Sequence, residues 1–189
     1  AQQTVPASRW HYGLLMLASA IRNKSYLYSY YNNPNNKHTE YAFANPQDYP
    51  DFDVKIVDLQ LEAPDFDLEA YMKKLNPDIV AVTAVTQFID MAMDISDMAQ
   101  RVVPNAKRLI GGIHASALPQ DTLRRSSFQY LAQGEGIETF TDFVMRAAFA
   151  EKDGFEIDDL EGLYYKSKDG AIKPTAPRVQ IMKTDDYPL

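Results

Sequence analysis

The chain has 189 residues, 46% of them apolar and 24% charged, which suits one ordinary domain with a sizeable core and a small appendage. Its 19 basic and 26 acidic residues give a net charge of −7, which argues against nucleic acid as a partner, because phosphate-backbone binders are basic. Cysteine is absent, so disulfides, zinc ribbons, cysteine nucleophiles and cysteine-ligated iron–sulfur clusters are excluded within these residues. No apolar run approaches the ~18 residues of a membrane span, and no signal peptide is evident. The start at Ala1-Gln2-Gln3, without Met, is that expected of a trimmed piece.

Tyr12 to Arg22 carries Leu14, Leu15, Leu17, Ala18 and Ile21 at the spacing of an amphipathic helix. A doubly wound domain needs a strand before this helix. Ala1 to Trp10 supplies none, so the first strand is expected to be absent or replaced by another segment. Asn23 to Pro50 is rich in Tyr, Asn and Pro and too long for a usual connection. Periodicity leaves Tyr26 to Tyr31 open between a strand and a helix extension. Asn32 to Pro50 reads as loop, within an insertion spanning 23–52.

Asp53 to Leu59 alternates apolar and polar residues and predicts a half-buried strand. Asp67 to Leu75 predicts a helix that Asn76-Pro77 stops. Asp78 to Val85 is the near-continuous apolar run of a strand buried in a parallel sheet. A long helix follows over Gln87 to Val103, ended by Pro104-Asn105. Lys107 to Ile113 is the next strand, and Ala115 to Arg125 a short helix made irregular by Pro119. Phe128 to Ala132 is another strand, and Glu138 to Ala150 another helix. This alternation predicts an α/β, doubly wound, mostly parallel sheet over 1–150 with helices on both faces. In 151–189, Gly162 to Lys166 and Ala171 to Pro174 flank Asp169-Gly170, the signature of a β-hairpin, read as an appendage.

Open sheets of this kind bind ligands at the carboxyl ends of their strands. Three loops there have ligand-compatible chemistry. Thr83, Thr86 and Gln87 end the first central strand; the hydroxyls suit a ligand's polar groups, or Thr86 caps the following helix. Gly111-Gly112 removes two side chains where backbone would approach a ligand, or makes a tight turn. His114 either faces that pocket or caps the next helix. Gly134-Glu135-Gly136 pairs an acid with two glycines able to adopt unusual dihedrals. Asp58 stands where a ribose-binding acid would sit, but no G-x-G-x-x-G and no phosphate loop occurs, which disfavours a nucleotide enzyme. His11, His38 and His114 are far apart, and no catalytic triad or working carboxylate pair is evident.

Taken together, these pieces resemble the N-terminal cobalamin (vitamin B12)-binding domain of cobalamin-dependent radical S-adenosylmethionine enzymes. The resemblance runs through Tyr12 to Ala18, Val54 to Asp58, Pro77 to Thr83, Gly111 to Ala115, Gly134 to Phe140, Leu160 to Tyr165 and Asp169-Gly170. The end, Asp185 to Leu189, resembles the linker before the radical domain. The resemblance implies a Rossmann-like fold with the corrin over the strand ends and the nucleotide tail running into the sheet. It assigns Thr83, Val85, Thr86 and Gln87, then Gly111, Gly112, Ile113 and His114, then Gln133, Gly134, Glu135 and Gly136 to cofactor contacts.

It further implies the cytoplasmic front part of a larger enzyme, a methyltransferase or a ring-forming or rearranging enzyme acting on a small molecule. S-adenosylmethionine and a 4Fe-4S cluster would belong to a radical domain downstream in the same chain. The D-x-H-x-x-G motif is absent, since His11 and Gly13 have the wrong spacing. Cobalamin is therefore expected without a protein histidine on cobalt. The alternative is a docking or regulatory domain of the same fold that binds no cobalamin.

Overall fold

The computed structural model describes residues 12–150 and 155–188. His11, the first-strand slot before it and the 150/151 junction lie outside these residues. The chain divides into two compact units, Ala1–Val57 with Ile181–Leu189, and Asp58–Gln180. No helix among the described residues is long and apolar enough to cross a membrane.

In the first unit, α1 (Tyr12–Arg22) matches the predicted helix, and α2 (Lys24–Tyr31) resolves the ambiguous tyrosine run as helical. Asn23 divides them: its backbone is extended and its side chain accepts from the Tyr26 amide at 3.0 Å, a standard N-cap. Tyr26 and Tyr30, one turn apart, stack at 5.9 Å. The insertion that follows wraps around this helix. Tyr41 and Tyr49 are buried with ring centroids 5.5 and 6.1 Å from Tyr31. The Asn36 amide donates to the Tyr30 carbonyl at 3.0 Å. Burial pushes the Tyr49 phenol up from its ordinary value. The C-terminal residues join the same cluster, with the Tyr187 ring 6.1 Å from that of Tyr26.

Asp53 to Leu59 is not a strand. Ile56 is 41% exposed, and among the described residues no strand pairs with the segment. Alternation makes a segment fit for pairing, but the ladder itself needs a neighbour. The Asp58 carboxylate instead accepts from the Gln60 amide at 3.0 Å and shapes a turn.

The second unit begins with α3 (Leu68–Leu75), capped by Asp67 and closed by Asn76 at φ 45°, the left-handed stop before Pro77. Strands β1 (Ile79–Thr83), β2 (Lys107–Gly111) and β3 (Tyr130–Ala132) then run parallel, linked by α4 (Ile89–Val102) and by α5 (Ile113–Ala117) with α6 (Pro119–Arg124). Pro119 splits the single helix expected there, as the first residue of α6, where a missing amide costs nothing.

Register sorts the side chains onto two faces. Val82, Ile110 and Leu131 pack with Ile89, Ala92 and Met93 of α4 and Leu123 of α6. Leu109 and Tyr130, paired across β2 and β3, belong to the opposite face. There the Tyr130 ring lies 5.0 Å from Phe143 of α7 (Ile137–Ala148) and 5.6 Å from Phe155. Helices therefore cover both faces, and the fold is the expected mostly parallel, Rossmann-like α/β sheet.

The hairpin β4 (Leu163–Lys166) and β5 (Ile172–Pro174) does more than append. β4 pairs antiparallel with β3 in register Tyr130 to Tyr165, so the hairpin extends the sheet to five strands in sequential order. The segment beyond it is anchored too. Arg178 donates to the buried Asp142 carboxylate of α7 at 2.6 Å and to the Glu161 carbonyl at 3.2 Å.

Candidate functional site

Because β1, β2 and β3 are parallel, Thr83, Gly111 and Ala132 end them at one edge of the sheet. Thr83 pairs with Gly111. A Cβ on Gly111 would lie 3.8 Å from the Ala132 carbonyl oxygen and 4.0 Å from its Cβ, ordinary contact. These three small residues form a row on the α7 side of the sheet, one step beyond Ala81, Leu109 and Tyr130. Thr83 and Ala81 are exposed, so this end of the face is open.

Gly112 belongs to a different environment. It sits at φ 98°, and a Cβ there would come within 2.8 Å of both the Ala84 carbonyl oxygen and the Thr83 hydroxyl. Its missing side chain is filled by the chain's own backbone, and the tight turn is its role in the fold. Gly134 also needs a left-handed backbone, at φ 76°, but Gly136 at φ −85° does not, which corrects the reading of both glycines as conformationally special.

His114 is 8% exposed and does not cap α5. Its Nδ1 lies 3.2 Å from the Thr86 hydroxyl, joining the first loop to the second. Thr86 in turn makes no helix-capping bond. The other ring nitrogen, His114 Nε2, is buried with no hydrogen-bond partner. A buried polar atom without a partner costs free energy that a bound group can recover.

Around these residues the loops present apolar side chains to solvent. Val85 and Phe88 are each 43% exposed and Ile113 is 71% exposed. Gln87, Gln133 and Glu135 are exposed polar groups at the same edge. Sequence reasoning missed Ser116, which holds the third loop. Its hydroxyl accepts from the Gly134 amide at 3.0 Å and its carbonyl from the Gln133 side chain at 3.2 Å. It also missed Ala84, whose backbone dictates Gly112. Neither residue carries a motif; only its place against another loop gives it a role.

The site thus combines an apolar rim, a row of small side chains and an unsatisfied imidazole nitrogen. Those features fit a large ligand with an apolar face, polar substituents and an arm laid along the sheet. The donor set suits cobalamin. A family model for the B12-binding domain matches residues 9–144.

The chain belongs to the B12-binding domain family.

Among curated relatives of this B12-binding domain is an uncharacterised methyltransferase of Pyrococcus horikoshii, 32% identical over 139 residues, which are 72% of this chain and 29% of that protein. Another is the anaerobic magnesium-protoporphyrin IX monomethyl ester cyclase of Cereibacter sphaeroides, 33% identical over 106 residues, 56% of this chain and 17% of that one. The chain spans less than a third of the length of either relative. Among solved structures, the radical S-adenosylmethionine methyltransferase TsrM from Kitasatospora setae, with cobalamin and a [4Fe-4S] cluster bound, aligns with a TM-score of 0.50 at 18% identity. The alignment covers 62% of this chain and 22% of that one, and it shows the shared fold.

Proposed function

We propose that the chain is the cobalamin-binding module of a cobalamin-dependent radical S-adenosylmethionine enzyme, a methyltransferase or a ring-forming or rearranging enzyme working in the cytoplasm on a small molecule. The observation that carries this reading is the buried, unpartnered His114 Nε2 at the same strand-end edge as the small residues Thr83, Gly111 and Ala132, in a chain of the B12-binding family. The radical machinery would reside in a further domain of the same polypeptide. This accords with the greater length of the relatives and with the absence of cysteine in these residues.

Cobalamin, when bound, supplies group-transfer or radical chemistry that no side chain can. The chain's part is to bind and orient it. Thr83, Gly111 and the last loop, Gln133 to Gly136, would receive the nucleotide arm; small side chains there leave room, and backbone and amide groups satisfy its polar atoms. Val85, Thr86, Gln87 and Ile113 would line the corrin side, the exposed apolar groups gaining burial as water leaves. His114 is held by Thr86 through Nδ1, which leaves Nε2 to meet a polar substituent of the ligand rather than cobalt. Gly112 acts indirectly by setting the path of the second loop.

Titrating the chain with hydroxocobalamin, followed by the visible spectrum and by calorimetry, tests the reading. Saturable binding is expected. A folded protein giving neither response would overturn it in favour of a docking domain that takes no cobalamin.

A further inference from the structure

The amino-terminal end of the second unit's sheet, the opposite end of the strands from the loops above, gathers positive charge in a chain whose net charge is −7. A cleft of about 480 Å³ opens there, lined by Gln120 and Arg124 of α6, Lys166 of β4, and Gly170, Ala171 and Ile172 of the hairpin. Its lining holds two cations, one amide and no carboxylate.

Two of the neighbouring acids are committed elsewhere. Asp121 reaches Arg125 at 3.4 Å. Asp169 is bound by the Ser167 hydroxyl and the Ala171 amide. Asp97 is close enough to attract Lys166 but makes no ion pair with it among the described residues.

The cations themselves are satisfied only by neutral groups. The Lys166 ammonium donates to the Ser126 carbonyl. Behind it, the buried Arg108 guanidinium donates to the carbonyls of Ser127 at 2.9 Å, Ala106 at 3.0 Å and Pro104 at 3.4 Å. Arg124 makes no hydrogen bond or ion pair among the described residues. Burial and the proximity of Arg108 push the Lys166 ammonium below its ordinary value. A partly desolvated cation such as Lys166 attracts an anion more strongly than a solvated surface lysine does, and the exposed Arg124 adds a second charge at the cleft.

We propose that this cleft is a second ligand site that binds the phosphate group of a small molecule. Gln120 and Arg124, one turn apart on α6, and the Lys166 ammonium of β4 supply the donors, and two cations match a dianion better than a carboxylate.

The test is a backbone-amide NMR titration of the whole chain with inorganic phosphate, repeated with acetate at matched ionic strength. Phosphate is expected to give saturable shifts centred on Gly170 and Ala171, and Arg124→Gln to weaken that binding about tenfold, the scale of a lost charge-assisted pair. Lys166→Met should do the same, with Arg124→Gln as the safer variant because Arg124 is exposed. Arg124→Gln should keep its hydroxocobalamin titration, so the outcome is independent of the cobalamin reading. No saturable shift, unchanged phosphate affinity in Arg124→Gln, or an equal response to acetate would overturn the site.

Discussion

Gly112 lies so close to Ala84 that any Cβ on it would stand 2.8 Å from the Ala84 carbonyl oxygen. The contact locks the second strand-end loop onto the first. Both loops border the candidate cobalamin site, so their relative position depends on this one missing side chain.

The two adjacent glycines should therefore behave differently. Gly112→Ala combines a steric clash with a left-handed backbone and is expected to cost at least ~2 kcal/mol, measured by denaturant unfolding. Gly111→Val places its Cβ in ordinary contact with Ala132 and should stay within ~1 kcal/mol of the parent. The same variant is expected to weaken hydroxocobalamin about tenfold by filling the row where the nucleotide arm would lie. Full affinity in Gly111→Val would remove that row from the site.

His114→Leu separates ligand contact from packing. The imidazole forms one bond, to Thr86, and leaves Nε2 unpartnered, so an apolar side chain of similar size should alter stability by ~1 kcal/mol or less. Hydroxocobalamin affinity is expected to fall by about a factor of ten, as one buried hydrogen bond would require. Calorimetry on the folded variant reads both quantities.

Arg178 should be a requirement of the fold rather than of the site. Its partner Asp142 has a side chain with no solvent exposure, as does Glu138 at 4.0 Å on the same helix. Arg178→Met strips a cation from buried carboxylates and is expected to cost about 3–5 kcal/mol. A chain ending after Pro174 should unfold as easily as this variant. Equal stability of the shortened and full chains would show the latch to be dispensable, and the domain would then end at the hairpin.

Tyr130 gives the stability a definite alkaline limb. Burial raises its phenol above its ordinary value of 10.0. The unfolded chain then releases that proton at lower pH than the folded one does. The stabilisation is complete below about pH 10 and is lost as pH rises toward the folded value. Tyr130→Phe has no proton to lose, so its stability should fall less steeply above pH 10. Parallel pH profiles by denaturant unfolding would contradict this.

Much of the architecture was legible residue by residue. α1 has the bounds its periodicity predicts, Asp67 and Asn76 bracket α3 as cap and stop, and Pro104-Asn105 follows α4. Asp169-Gly170 turns the hairpin. These features depend on neighbours within a few residues, so local sequence is sufficient to specify them. The strand-end loops were legible as a group for a different reason: strands that alternate with helices run parallel, and parallel strands must end at one edge.

The rest was decided only when distant segments met. Asp53 to Leu59 has a strand's alternation and, among the described residues, no strand paired with it. Residues 24–31 are helical because four of them, Tyr26, Leu27, Tyr30 and Tyr31, bury one face against partners far along the chain. The side chain that Gly112 lacks is replaced by Ala84, the hydroxyl of Thr86 goes to His114, and the carboxylate of Asp142 goes to Arg178. Alternation, glycine and acid each state what a residue can do. Which contact it makes depends on what the folded chain brings within about 3 Å of it, and that reach is shorter than any pattern along the sequence records.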